Sequence, residues 1–181
     1  RPEGDCYKAT DKKIVPRAFG VDSAFPLPVL ETMHPRTPPR LTWIFETEPL
    51  YFVTICTQRR ARLLANHTVH QAFRIYAHRA TDHRIGVGRY VLMPDHIHLF
   101  VRVAGSRTLG QWIGGLKRQL SRAAALPPRA WQRGFFDHIL RSDESYARKW
   151  EYVFRNPERA GLVRNAESWP YAGEIHVIDR A

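Results

Sequence analysis

Apolar side chains along this chain follow two rhythms that alternate with each other. Tyr51-Phe52-Val53-Thr54-Ile55-Cys56-Thr57 is β-branched and aromatic, which predicts a strand. Asn66 can cap a helix in which Val69, Phe73, Ile75 and Tyr76 give a mostly apolar stripe to about Ala80. A second strand is expected over 85–93, entered through Gly86 and Gly88. Pro94-Asp95 turns the chain, and His96-Ile97-His98-Leu99-Phe100-Val101-Arg102-Val103 then alternates strictly, as a third strand. Thr108 or Ser106 opens a helix to about Ala124 that carries Leu109, Trp112, Ile113, Leu116 and Leu120, and Pro127-Pro128 ends it. A fourth strand over 135–141 precedes a third helix, capped by Ser142 or Asp143 and running to about Arg155. Pro157 starts a short last turn that Gly161 closes.

The order β-α-β-β-α-β followed by a helix predicts an α+β fold of the ferredoxin-like, split βαβ kind. It has an antiparallel four-stranded sheet with two helices on one face. The third, C-terminal helix, which carries Tyr152, is expected over part of the other face. Residues 1–40 stand apart. They hold seven of the 13 prolines and show no sustained periodicity, so they are expected to form an extended Pro-rich, basic arm. The main domain is then 41–171, with a tail over 172–181.

Composition narrows the class. Apolar residues make up 44% of 181, enough for a core, so disorder of the whole chain is excluded. No apolar run reaches 18 residues, and Arg1-Pro2-Glu3-Gly4-Asp5 has no apolar signal-peptide segment. Cys6 and Cys56 are too few for a disulfide scaffold or a zinc module. The expectation is a cytoplasmic, nucleoid-associated protein with no membrane partner.

Charge points to the partner. Lys and Arg number 28 against 17 Asp and Glu, a net +11, which favours a polyanion. From His96 to Phe136 there is no acidic residue, while Arg102, Arg107, Lys117, Arg118 and Arg122 fall within that stretch as candidate phosphate contacts. Trp112, Trp131, Phe135 and Phe136 are interleaved with these bases, a mixture that fits single-stranded or distorted nucleic acid or, for most of them, simple core packing.

Two groups could carry chemistry. Strand alternation sends His96, His98, Phe100 and Arg102 to one face, with the two histidine Cα atoms about 6.5–7 Å apart. Both imidazoles can then reach one metal ion; two histidines beside a turn are equally at home as plain surface residues. Tyr152 and Asn156, four apart on a helix, share a face and could serve as nucleophile and metal ligand, or simply pack. Tyr146 is the competing phenol. Asn156 precedes Pro157, which disfavours helical backbone there. No phosphate-binding glycine loop, Cys-x-x-Cys pair or close carboxylate pair is present.

Three segments together resemble a known family. Met93-Pro94-Asp95-His96-Ile97-His98-Leu99 resembles the His-hydrophobic-His motif of single-tyrosine DNA transposases. Trp131-Gln132-Arg133-Gly134-Phe135-Phe136-Asp137-His138 and Tyr152-Val153-Phe154-Arg155-Asn156-Pro157-Glu158-Arg159-Ala160-Gly161-Leu162 are similar to the branch associated with repetitive extragenic palindromes, the REP-associated tyrosine transposases. The resemblance implies a metal-dependent transesterase that cleaves and rejoins single-stranded DNA beside palindromic hairpins. It implies His96, His98 and Asn156 as ligands of Mg²⁺ or Mn²⁺, Tyr152 as nucleophile through a 5′-phosphotyrosine link, and a monomer rather than a helix-exchanging dimer. A catalytically silent DNA-hairpin binder is the alternative. A phenol ordinarily titrates near 10 and is a poor nucleophile at neutral pH, so charge must be withdrawn from the phosphate. A covalent intermediate would keep the cleavage energy, so no ATP is needed.

Overall fold

A computed structural model describes residues 48–140 and 143–178. The expected arm, 1–40, lies outside them. The elements are β1 (Leu50–Cys56), α1 (His67–His78), β2 (Ile85–Leu92), β3 (His96–Val103), α2 (Leu109–Ala123), β4 (Phe136–Leu140), α3 (Asp143–Phe154), a one-turn α4 (Asn156–Arg159) and β5 (Ala172–Glu174). All strand pairs are antiparallel, in the order β4-β1-β3-β2-β5. The first four strands therefore have the expected split βαβ arrangement.

Local chemistry explains the helix starts. The Asn66 side chain accepts from Val69 N at 2.9 Å, capping α1. Thr108 and Gln111 form a reciprocal capping box at the start of α2.

The sheet separates two cores. Val53, Ile55, Ile97, Leu99 and Val101 pack with Val69, Phe73 and Ala77 of α1 and with Trp112, Ile113, Leu116 and Leu120 of α2. On the other face, Phe52, Val91, Phe100 and Leu140 pack with Val153, Tyr146 and Trp150 of α3. Position parity decides which side each strand residue takes, as strand geometry requires. Strand β2 breaks that parity once. Val87 opposes Val101 but Tyr90 opposes Leu99, so β2 carries one extra residue at Gly88–Arg89. The bulge keeps Tyr90 and Leu92 in the helix-side core after Ile85 and Val87.

Two regions differ from the expectation. The stretch read as a tail, 172–181, begins with a fifth strand, β5, on the edge of β2. Its Gly173 lies so close to Tyr90 that a Cβ would sit 3.0 Å from the phenol oxygen, a contact that would need Tyr90 to give by a few tenths of an ångström. Asn156, expected to share a helix with Tyr152, falls beyond the third helix, which ends near Arg155 as expected. That helix stops at Phe154, and Arg155 forms a turn before Asn156 restarts a helical turn with Pro157 beside it. Among the described residues, no helix is long and apolar enough to cross a membrane.

Candidate metal and nucleophile site

Strand β3 begins at the candidate site. His96 follows the Pro94-Asp95 turn, which segment 57–64 grips: Thr57 N donates to Asp95 O at 2.9 Å, and Leu63 N and Leu64 N both donate to Pro94 O at 2.8 Å. Within that segment Arg59 and Arg60 have φ of 53° and 56°. Left-handed backbone costs a non-glycine residue about 1–2 kcal/mol, so the surrounding bonds hold a strained bend here. In this bent segment Arg60 lies against the turn, its Nε donating to Asp95 Oδ2 at 2.7 Å.

Asp95 in turn fixes His96. Its Oδ1 lies 2.7 Å from His96 Nδ1. An ionised carboxylate only accepts, so Nδ1 carries the proton and Nε2 is the nitrogen left to present a lone pair. Arg60 Nη2, 3.3 Å from the same Nδ1, can only donate; its productive partner is the carboxylate. Burial raises the Asp95 pKa, but the hydrogen bond and charge of His96 and the Arg60 guanidinium outweigh it and hold the carboxyl below its ordinary range.

His98 is anchored the same way from the neighbouring strand. Thr54 of β1 pairs directly with His98, and its Oγ1 lies 2.9 Å from His98 Nδ1. The hydroxyl can accept from Nδ1–H, the tautomer that leaves Nε2 as the free end. Phe52 stacks on the His98 ring at 5.3 Å, and the two imidazoles meet edge to face at 4.6 Å. Burial pushes the His98 pKa well below 6.5, with the charges of His96, Arg60, Lys149 and Arg159 adding to the shift. His98 is therefore neutral at physiological pH, the state in which imidazole binds metals.

Helix α3 packs on this same face. Tyr146, Trp150 and Val153 form its buried stripe: Tyr146 meets Phe100 at 4.6 Å and Arg89 lies over its ring. Tyr146 is thus a packing residue. Tyr152 lies off the stripe and is 45% exposed. One turn earlier, Lys149 Nζ sits 5.1 Å from the centre of the Phe52 ring, the ring that stacks on His98. Arg159 of α4 lies 3.7 Å over the Tyr152 ring, donates to Tyr152 O at 2.8 Å, and donates to Asn156 Oδ1. Arg159 thereby joins the phenol and the amide across the turn at Arg155.

The structure thus brings His96 to His98, and Tyr152 to Asn156 through Arg159. Lys149 and Arg159, from the layer that carries Tyr152 and Asn156, both add charge that disfavours protonation of His98, after burial itself. The donor chemistry fits a divalent ion, because each imidazole has its Nδ1 held by a second group that orients Nε2. Among the described residues no group of three His, Cys, Asp or Glu side chains could hold a metal, so any third protein donor is of another type, such as an amide.

The expected phosphate contacts fare differently. Arg102 is 0% exposed and is not open to a phosphate. Lys117 is half-buried and donates to Gln132 O and Gly134 O, which fixes the turn leading into β4; burial lowers its pKa. Arg118 and Arg122 are exposed, but α2 lies on the face opposite the imidazoles, and Arg107 precedes that same helix. Sequence reading missed Thr54, Arg60, Lys149 and Arg159. A lone Thr in an apolar strand and an Arg three residues after Asn156 were the available signals.

Comparisons with known proteins bear out the resemblance. A family model described as "Transposase IS200 like" matches residues 48–152, a span that holds both histidines and Tyr152 and stops short of Asn156. A Haemophilus influenzae protein named putative REP-associated tyrosine transposase is 26% identical over 137 residues, 68% of this chain and 78% of its own. The Escherichia coli K12 REP-associated tyrosine transposase is 25% identical over 124 residues, 67% of this chain and 73% of its own. A solved structure of a REP-associated tyrosine transposase bound to a REP hairpin superposes with a TM-score of 0.60 at 22% identity, covering 78% of this chain and 81% of that one, which is a likeness of fold.

Proposed function

The chain belongs to the IS200-like transposase family, and from that premise we propose that it cleaves and rejoins single-stranded DNA beside palindromic hairpins, with Tyr152 as nucleophile. One observation carries the proposal most: two imidazoles, each anchored through Nδ1, face the layer where an exposed tyrosine sits one helical turn from the lysine above them. His96, His98 and Asn156 would hold a Mg²⁺ or Mn²⁺ ion, which supplies positive charge against the non-bridging oxygens of the scissile phosphate.

In the proposed reaction Tyr152 Oη gives up its proton and forms a bond to phosphorus. The bond from phosphorus to the 3′ oxygen breaks, and that oxygen leaves as a hydroxyl. The product is a 5′-phosphotyrosine and a free 3′ end. A 3′ hydroxyl of another strand then attacks the same phosphorus and releases the phenol. Both steps exchange one ester for another, so no nucleotide cofactor is consumed. Asp95 and Thr54 keep the rings oriented, and Arg60 holds the Asp95 carboxylate in place through its Nε. Lys149, half-buried over Phe52, places positive charge beside the phosphate. Arg159 must release the Asn156 oxygen before that oxygen can act as a ligand.

The substrate reading follows the relatives, two of which are named for REP association, and the fold neighbour, which is bound to a REP hairpin. In this account Arg107, Arg118 and Arg122, on the far layer, hold the phosphates of the hairpin stem rather than the cleaved strand. The protein acts as a monomer.

The experiment is incubation with end-labelled hairpin oligonucleotides carrying single-stranded flanks, with Mg²⁺ or Mn²⁺. A band that survives denaturation and disappears in Tyr152→Phe is expected. Tight hairpin binding without any covalent band would replace this reading with that of a catalytically silent DNA-hairpin binder.

A further inference from the structure

We propose that Phe136 is a stacking platform for an unpaired nucleobase next to the phosphate that occupies the imidazole site; this deepens, and rests on, the reading above. Phe136 opens β4, the edge strand of the sheet, and is 48% exposed. Its partner across the sheet is Thr54, whose partner on the other side is His98. The row Phe136–Thr54–His98 therefore crosses one face of the sheet, from its edge to the candidate ligand. Two strand spacings separate its ends, about 10 Å, so a base beside the bound phosphate can reach the ring.

The two adjacent phenylalanines have opposite duties. Phe135 packs against the helix-side core, which forces Phe136 to the imidazole side. The turn that starts the strand is fixed by Gly134 at φ 71° and by Lys117, which donates to the Gly134 carbonyl. The ring is thus held on a rigid sheet at a defined register.

The setting favours a base over other occupants. A sheet edge that carries a bare aromatic is a liability that proteins usually blunt with charge. Phe136 and Ile139 are the exposed apolar side chains of β4, and strand alternation turns Ile139 to the other face, so on the imidazole side this strand offers one exposed ring, about the size of one base. Lys149 lies over Phe52, the residue that pairs with His138, and brings positive charge to the same ledge. The chain as a whole carries +11, which suits an anionic strand. Every base offers a π face, so such a platform accepts any sequence and grips only unstacked bases.

The test uses the full chain with Tyr152→Phe, which prevents cleavage, and hairpin oligonucleotides with 2-aminopurine placed at each unpaired flanking position in turn. One position should be quenched on binding. Adding Phe136→Ala should abolish that quench and weaken binding roughly 5- to 100-fold, the range of one base–aromatic stack. Phe136→Tyr should keep both, and unchanged circular dichroism will show that the variants fold. Quenching that persists in Phe136→Ala overturns the proposal. So does a change in oligomeric state with no change in quenching, which would make this edge a contact between two copies. Failure to bind any hairpin would overturn both this proposal and the functional reading. Quenching at one position in the Tyr152→Phe chain, with no adduct ever formed by the wild-type chain, would overturn the chemistry alone and leave the platform standing.

Discussion

Asp95→Asn isolates the orientation of one imidazole. The substitution keeps the size of the side chain but removes the charge that faces His96 Nδ1 at 2.7 Å and Arg60 Nε at 2.7 Å. An amide at this place can turn its NH₂ toward the ring, and the ring then loses its fixed tautomer. Loss of an outer-shell partner of this kind typically costs 10- to 100-fold in metal affinity, or about 1.4–2.7 kcal/mol. The assay is calorimetric titration of the folded protein with MnCl₂, wild type against variant, with thermal denaturation as the control for folding. Arg60→Gln should show a smaller loss, since Arg60 acts on the metal only through Asp95. An unchanged Mn²⁺ affinity in Asp95→Asn would refute the idea that His96 binds through a ring held by this carboxylate.

Three further outcomes follow from the same structure. Burial lowers the His70 pKa to about 4, and its Nε2 lies 2.8 Å from the Tyr90 hydroxyl. The unfolded chain takes up this proton near 6.5 and the folded one only near 4, so stability is full above 6.5 and falls as pH drops toward 4. Chemical denaturation of His70→Gln should therefore show a shallower pH dependence between 6.5 and 4; His98 and His176 are shifted in the same direction and keep a residual slope. Arg159→Ala removes a cation from an exposed ring, worth about 0.5–1 kcal/mol, so the melting temperature should fall by only a few degrees while the rate of adduct formation falls more steeply. Equal rates for wild type and variant would remove Arg159 from the site. Arg118→Gln with Arg122→Gln should weaken binding of a hairpin and flatten its salt dependence, while leaving binding of a single strand without a stem unchanged.

Much of the site was legible because strand alternation is strict in β3. The period of two puts His96 and His98 on one face and Ile97, Leu99 and Val101 on the other, and the two cores divide along that line. Helix boundaries were legible where a cap fixes them, as at Asn66 and Thr108. The break after Phe154 was foreshadowed by Pro157. What the one-dimensional pattern hides is the layer on which a residue ends up. Arg102 alternates correctly yet is buried. The bases of α2 are close to the histidines in sequence but across the sheet in space. β5 has only three residues and no alternation of its own; it exists because β2 offers an edge and Gly173 lets it come close to Tyr90. Arg159 escaped notice because its contacts cross the turn at Arg155, which periodicity does not describe.

The most direct measurement maps the covalent bond. Wild-type protein is incubated with a flanked hairpin and Mn²⁺, digested, and the nucleotide-bearing peptide identified by mass spectrometry. The account predicts a 5′-phosphate ester on Tyr152, formed as readily in Tyr146→Phe and absent in Tyr152→Phe. A bond on Tyr146, or strand cleavage with no protein-bound product, would contradict it.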